Sequence, residues 1–352
     1  MAGERQHIIP RFLQRGFASK IEGKKVFTWF YRKDGSCLEL STRDVFLEKF
    51  FYKNDQGISV DEEITKIEKG FALMLEEIRK QEHGVELNQH NIPEFIAHMC
   101  IRTKHLVDST NEAINNLIIE TEKYLGDINN IRNFLMNDFN FKKEITVSLK
   151  SQFPQLSIIV IETLIPIFIK TFFDENKGRI LMASQAFFSQ FRRSLPKVLK
   201  SSFIDVLSNG LVVPEPRVSD YHSFKWFVFV SQKPFILGDV GCLFEVLGKK
   251  EYTFLNMKGD VIRNIYLPIS SNKLLIGTKE ENMPNIDVEQ FNINYVKICR
   301  ECFICHAPSD EMSFLAGELG KNSELFNKEE FEQMVRKNFL NRMFTNFCSN
   351  EG

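Results

Sequence analysis

Three residues near the start of the chain have the types and spacing to hold an anion. His7, Arg11 and Arg15 fall in the run Gln6-His7-Ile8-Ile9-Pro10-Arg11-Phe12-Leu13-Gln14-Arg15-Gly16-Phe17-Ala18. A proline at the first helical position and a glycine just past the last predict one short helix from Pro10 to Gly16. Arg11 and Arg15, four apart, then share a face, and His7 stands just before it. An imidazole and two guanidiniums near a helix N-terminus suit a phosphate or carboxylate. The plain alternative is a surface helix whose arginines pair with acidic neighbours. Phe12, Leu13 and Phe17 are expected to be buried, because leaving such side chains exposed forfeits about 1.5–3 kcal/mol each.

Two further groups carry chemistry. A single helix is predicted from about Ile92 to Val107, with Ile92, Phe95, Ile96, Met99 and Leu106 on its apolar face. Glu94, His98, Arg102 and His105 form a polar stripe on the other side. Carboxylate, imidazole and guanidinium together are the parts of metal-free acid–base chemistry on phosphate esters; the alternative is a solvated face. Arg102 lies nearest the apolar edge and is expected to point inward. Asp239 is the third candidate. Glu245 follows it, with Lys249 and Lys250 nearby, but Leu247 stands where an Asp…Glu-x-Lys nuclease needs its lysine.

Cys299, Cys302, Cys305 and His306 invite a metal reading. Cys302 to His306 is a literal Cys-x-x-Cys-His haem-attachment pattern, and three thiolates with an imidazole could hold zinc. No fourth cysteine follows three residues later, as an iron–sulfur series needs, and no separate Cys-x-x-Cys pair lies elsewhere in the chain to support zinc. Buried structural thiols are the expectation, with no metal and no cofactor. Phosphate-loop, dinucleotide-glycine and nucleophile-elbow signatures are absent.

Those residues need elements to position them. With 352 residues and 43% hydrophobic content, the chain can bury a sizeable core. Its 34 phenylalanines against two tryptophans read as core packing. A formal net charge of -1 counts against purely electrostatic binding of nucleic acid but leaves room for a local basic groove. The opening MAGERQHIIP has no apolar secretory core, and the apolar run Leu156 to Ile169 is too short for a membrane span of about 20 residues. A buried helix, no membrane, a cytoplasmic location and free thiols among seven cysteines are therefore expected. Residues 25–41 read as a hairpin turning at Asp34-Gly35. Ser59 and Glu62 form a capping box before a helix through Ile64, Ile67, Phe71, Leu75 and Ile78. Helical patterns run on to about residue 208, with breaks near Gly84, Gly126, Pro154 and Pro196. Lys225–Val230, Val261–Leu267 and Lys273–Gly277 read as strands, Ile286–Cys299 as a helix, and Phe331–Phe347 as another.

The opening run resembles the domain of unknown function 4238 family, whose members show His-x-x-Pro-x-Phe-x-Leu-x-x-Phe near the start and then a strand hairpin. His7, Pro10, Phe12, Leu13 and Phe17 carry that pattern, with one extra residue before the last phenylalanine. Phe51-Tyr52, the helix with Glu62 and Glu68, Ile101-Arg102-Thr103, Gly238-Asp239-Val240 and Leu267-Pro268-Ile269-Ser270 are similar to later elements. The turn at Asp239 lacks the family serine and proline. The resemblance implies a domain of unassigned activity.

The expected fold is α+β, predominantly helical, with an N-terminal β-hairpin and a small, mostly antiparallel sheet. One domain is expected over 1–307 and a C-terminal helical tail over 308–352. Two functions are open. One is a phosphodiester-directed enzyme, a nuclease-like toxin or defence effector acting on nucleic acid or a nucleotide. In it His7 is the general acid or base, Arg11 and Arg102 hold phosphate, Asp239 orients the imidazole or binds metal, and Arg15, His98 and His105 contact the ligand. The other is a non-catalytic binding or sensor module for an anionic ligand or a partner protein.

Overall fold

The spacing of apolar residues changes along the chain: alternate or continuous in the opening and the later part, three and four apart in the middle. The elements follow that change. The computed structural model describes residues 5–54, 57–88, 91–136, 139–208, 213–248, 251–256, 260–324 and 329. In order they form β1 (Arg5–His7), α1 (Arg11–Gln14) running into a 3-10 turn (Arg15–Phe17), β2 (Lys20–Glu22), β3 (Lys25–Arg32), β4 (Cys37–Ser41), β5 (Leu47–Lys49), α2 (Asp61–Lys80) and α3 (Ile92–Ile101). Next come α4 (Lys104–Leu125), α5 (Ile128–Met136), α6 (Phe139–Gln152), α7 (Ile158–Val206) and α8 (Glu215–Tyr221). Then follow β6 (Lys225–Val230), β7 (Leu237–Gly238), β8 (Leu243–Leu247), β9 (Tyr252–Thr253), β10 (Val261–Ser270), β11 (Lys273–Thr278), α9 (Val288–Ile298), β12 (Cys302–Cys305) and α10 (Asp310–Glu318). The fold is α+β. The helix expected over Phe331–Phe347, together with Cys348, Lys249 and Lys250, lies outside the described residues.

The chain groups into two compact units, Met1–Thr110 with Leu199–Leu325 and Asn111–Val198 with Phe326–Gly352. The first unit holds the strands. β6-β11-β10-β8-β9 make a five-stranded antiparallel sheet, and β2-β3-β12-β7 make a second, with β4 also paired to β3. β1 pairs with β5 alone. The β3–β4 hairpin turns where expected: Gly35 takes φ +82°, and Asp34 Oδ1 accepts the Ser36 N–H at 2.9 Å. The core runs from Ile9, Leu13 and Phe17 through Phe95, Ile96 and Met99 to Phe235, Phe244, Ile265 and Phe303, all fully buried. Leu13 and Phe17 are thus buried as expected, and Phe12 packs half-buried against the same core.

In the second unit Ile161, Ile165, Ile169 and Phe173, each four apart, form the buried stripe of α7 and pack on Ile128, Ile131, Phe141 and Ile145. The expectation of a buried helix holds for that stripe and is corrected for the rest of the run, since Ile159 is 76% and Ile167 63% exposed. Pro196 does not break the helix either: α7 continues through Pro166 and Pro196, each of which removes one ladder N–H. Among the described residues no helix is long and apolar enough to cross a membrane.

The cysteine run has a geometric explanation. Cys302 and Cys305 lie three apart on β12, and a strand sends residues three apart to opposite faces. Their side chains therefore diverge. Cys299, Cys302 and Cys305 are free, buried thiols with pKa values pushed upward by burial. Among the described residues no group of three or more His, Cys, Asp or Glu side chains is placed to hold a metal.

Candidate functional site

The site grows from β1. Its pairing with β5 sets His7 opposite Leu47, and the Ile8 N–H donates to the Phe46 carbonyl at 3.0 Å. Both ends of β5 are strained: Phe46 and Phe50 take φ of 51° and 54°. A non-glycine residue in that left-handed region costs roughly 1–3 kcal/mol, and such residues gather at functional sites. Pro10 then caps α1, its carbonyl accepting the Leu13 and Gln14 N–H groups at 3.0 and 3.2 Å.

His7 Nε2 lies 3.1 Å from the Thr42 carbonyl. A carbonyl only accepts, so Nε2 carries the proton and Nδ1 keeps its lone pair. Nδ1 has no hydrogen-bond partner among the described residues. Burial, then the charges of Arg11, Arg102 and Arg5, bring the imidazole down to about 4, against the pull of the Thr42 carbonyl. His7 is therefore neutral at neutral pH. Arg11 is half-buried, and its own ionisation is pressed downward by burial and then by Arg43 and Arg15. Its Nε is buried with no hydrogen-bond partner. Arg11, Arg15 and Arg43 form no ion pair among the described residues, whereas Arg5 reaches Asp44 at 2.7 Å.

Arg102 bonds the His7 backbone and is 2% exposed. The single helix expected over Ile92–Val107 is two: α3 ends at Ile101, Arg102 bends the chain at φ -98°, ψ 2°, and α4 begins at Lys104. Thr103 explains the break, since its Oγ1 accepts the Leu106 N–H at 3.3 Å and so starts a new helix. The bend turns the guanidinium inward. Nη2 donates to the His7 carbonyl at 2.6 Å and Nε to the Tyr52 hydroxyl at 3.1 Å. Nη1 donates to Glu68 and to His98 Nε2, the latter at 3.1 Å. Tyr52 donates in turn to the Arg102 carbonyl at 3.2 Å, and the Tyr52 N–H is taken by Gln6 Oε1 at 2.7 Å. His7, Tyr52, Glu68 and Arg102, from four separated stretches of sequence, meet at one guanidinium.

The remaining candidates go elsewhere. The polar stripe is not solvated: His98, Arg102 and His105 are all buried. His105 gives its Nε2 proton to the Ser323 carbonyl at 2.9 Å and packs on the Phe254 ring, with centroids 3.8 Å apart. Burial brings it to about 4. Asp239 is 4% exposed. Its carboxylate accepts the Arg300, Glu301 and Cys302 N–H groups at 2.9, 2.7 and 3.3 Å, and burial raises it to about 6 against those bonds. It fastens the turn before β12, and neither oxygen bonds the His7 imidazole.

Sequence reasoning missed Arg43 and Arg79. Arg43 follows the hairpin with no local motif to mark it. Arg79 at the end of α2 donates to the Ile269, Phe12 and Leu13 carbonyls at 2.7, 3.0 and 2.9 Å, which anchors α1 to β10. Burial lowers it to about 10. Its position in the last turn of an acid-started helix was the available signal.

No curated protein and no solved structure matches the chain. The family described as protein of unknown function (DUF4238) matches over residues 5–182. That span takes in β1, the opening helix, Tyr52, Glu68 and Arg102, while Asp239 and Leu267–Ser270 lie beyond it. The match covers just over half of the 352 residues, and the chain belongs to the DUF4238 family.

Proposed function

We propose that the chain is a binding module for a phosphate-bearing ligand, of the nucleotide or nucleic-acid class, held by Arg11, Arg15 and Arg43 over His7. One observation carries this reading: Arg11 has a buried Nε with no acceptor, and like charges instead of carboxylates surround it. An arriving phosphate supplies the missing acceptor and relieves the repulsion, and a planar guanidinium fork suits it. Arg102 is assigned a positioning role, because its donors are engaged by Glu68, His98, Tyr52 and the His7 carbonyl. Asp239 is assigned to the β12 turn.

Phosphodiester cleavage is the second reading, favoured by the neutral His7 imidazole with an open Nδ1, the protonation state of a general base. Calorimetric titration with inorganic phosphate, ADP and a short RNA tests binding. Arg11→Ala with Arg43→Ala is expected to weaken it about tenfold or more at an unchanged melting point, with affinity falling as salt rises. No binding of any of the three, or equal binding by the double variant, would refute the module. Cleavage of RNA or DNA that His7→Ala abolishes while binding persists would establish the enzyme.

A further inference from the structure

A cleft of about 470 Å³ opens beside the five-stranded sheet, away from His7 and independent of the anion reading. It is within the size range of small-molecule sites, about 300–1,000 Å³. Its floor comes from a β-bulge. The β8–β10 register shifts between Ile262 and Asn264, so Arg263 is the extra residue and Asn264 faces Glu245. Glu245 Oε2 accepts from Asn264 Nδ2 at 2.7 Å and from the Tyr266 hydroxyl at 2.6 Å. Burial, then Glu245, push the Tyr266 phenol far above its ordinary pKa, so it stays a donor.

That bonding fixes the Asn264 amide. Nδ2 must face the carboxylate, so Oδ1 points the other way. Asn264 is 5% exposed, lines the cleft, and its Oδ1 has no hydrogen-bond partner. A buried unpaired carbonyl costs about 1–3 kcal/mol and calls for a donor. The charge around it is lopsided. Among the described residues Glu245, Glu280 and Asp287 line the cleft against one cation, Arg263, whose Nη1 touches Glu245 Oε1 at 3.3 Å. Tyr252, Tyr266 and Phe291 supply aromatic lining. Acceptors, negative charge and aromatic rings together suit an organic cation. An anion would meet three carboxylates, and a metal ion lacks a ligand cluster here among the described residues.

We propose that this cleft binds a small aliphatic amine in its ammonium form, whose N–H groups reach Asn264 Oδ1 and the carboxylates of Glu245 and Glu280. The test is calorimetric titration of the full chain with putrescine, beside the neutral isostere 1,4-butanediol. Saturable putrescine binding is expected, with none of the diol at the same concentrations. Glu245→Gln is expected to weaken binding about tenfold, the equivalent of ~1.4 kcal/mol, and Glu280→Gln severalfold. Glu280 is exposed, so its variant decides the matter should Glu245→Gln melt early. No putrescine binding, equal binding of the diol, or unchanged affinity in the folded variants would overturn the proposal.

Discussion

Arg102 shows how far single residues could be read. Its place at the apolar edge of a predicted helix indicated that it would point inward, and it does. Its partners were out of reach, because Tyr52, Glu68 and the His7 carbonyl come from stretches 34 to 95 residues away. These bonds make Arg102 a structural anchor. Arg102→Met is expected to cost about 3–5 kcal/mol by leaving Glu68 without its charge partner, and Arg102→Lys is expected to recover little, since an ammonium cannot serve four acceptors in a fork. Thermal melting of both variants checks this; an unchanged midpoint in either would free Arg102 for ligand. Asp239→Asn should also destabilise, by about 1–3 kcal/mol, because one amide oxygen cannot replace a carboxylate that accepts three backbone N–H groups.

At the scale of elements, turn chemistry and strand composition were readable and tertiary approach was not. Asp34-Gly35 and the strand Lys225–Val230 could be read because local conformation decided them. Gly16 follows Arg15, the C-cap of α1, as a helix terminator should, but the chain runs on as a 3-10 turn to Phe17 and the glycine has a second, tertiary reason. A Cβ there would lie 2.3 Å from the Ile269 carbonyl, and the Gly16 carbonyl accepts the Ser271 N–H at 2.9 Å. The glycine exists because β10 passes against it, a fact set by Ile269 and Ser271, far along the chain. Gly16→Ala is expected to cost about 1–3 kcal/mol or more from overpacking, and to loosen α1 and with it Arg11. Chemical denaturation reads the first effect, and phosphate affinity the second. An alanine variant of native stability would show that β10 does not hold the opening helix. The split of α3 from α4 at Thr103 was hidden for a related reason: the apolar spacing continues through the break, and only the threonine cap marks it.

At the scale of the whole molecule, the α+β class followed from the change of apolar period along the chain, while the division into two units did not, because no long linker announces it. The buried titratable groups give the molecule an acid response. His7 and His105 fall to about 4 when folded, against about 6.5 in an unfolded chain, so the unfolded state takes up both protons first. Asp239 rises to about 6 from about 3.9, so the folded state takes up that one first. Near pH 5, about two protons against one leave the unfolded state ahead by about one, and stability falls on acidification by about 1.4 kcal/mol per pH unit. Melting midpoints from neutral pH down to about pH 5 check this, and His105→Gln should flatten the slope; a midpoint that rises on acidification would reverse the sign. The central claim, that phosphate sits over His7 among Arg11, Arg15 and Arg43, is tested most directly by NMR titration of the His7 imidazole with and without inorganic phosphate. A pKa of about 4 is expected in the free protein, moved clearly upward by saturating phosphate because a nearby anion favours the imidazolium, with no such movement in the Arg11→Ala, Arg43→Ala double variant. An imidazole that titrates at its ordinary value without phosphate, or one that phosphate leaves unmoved, would contradict it.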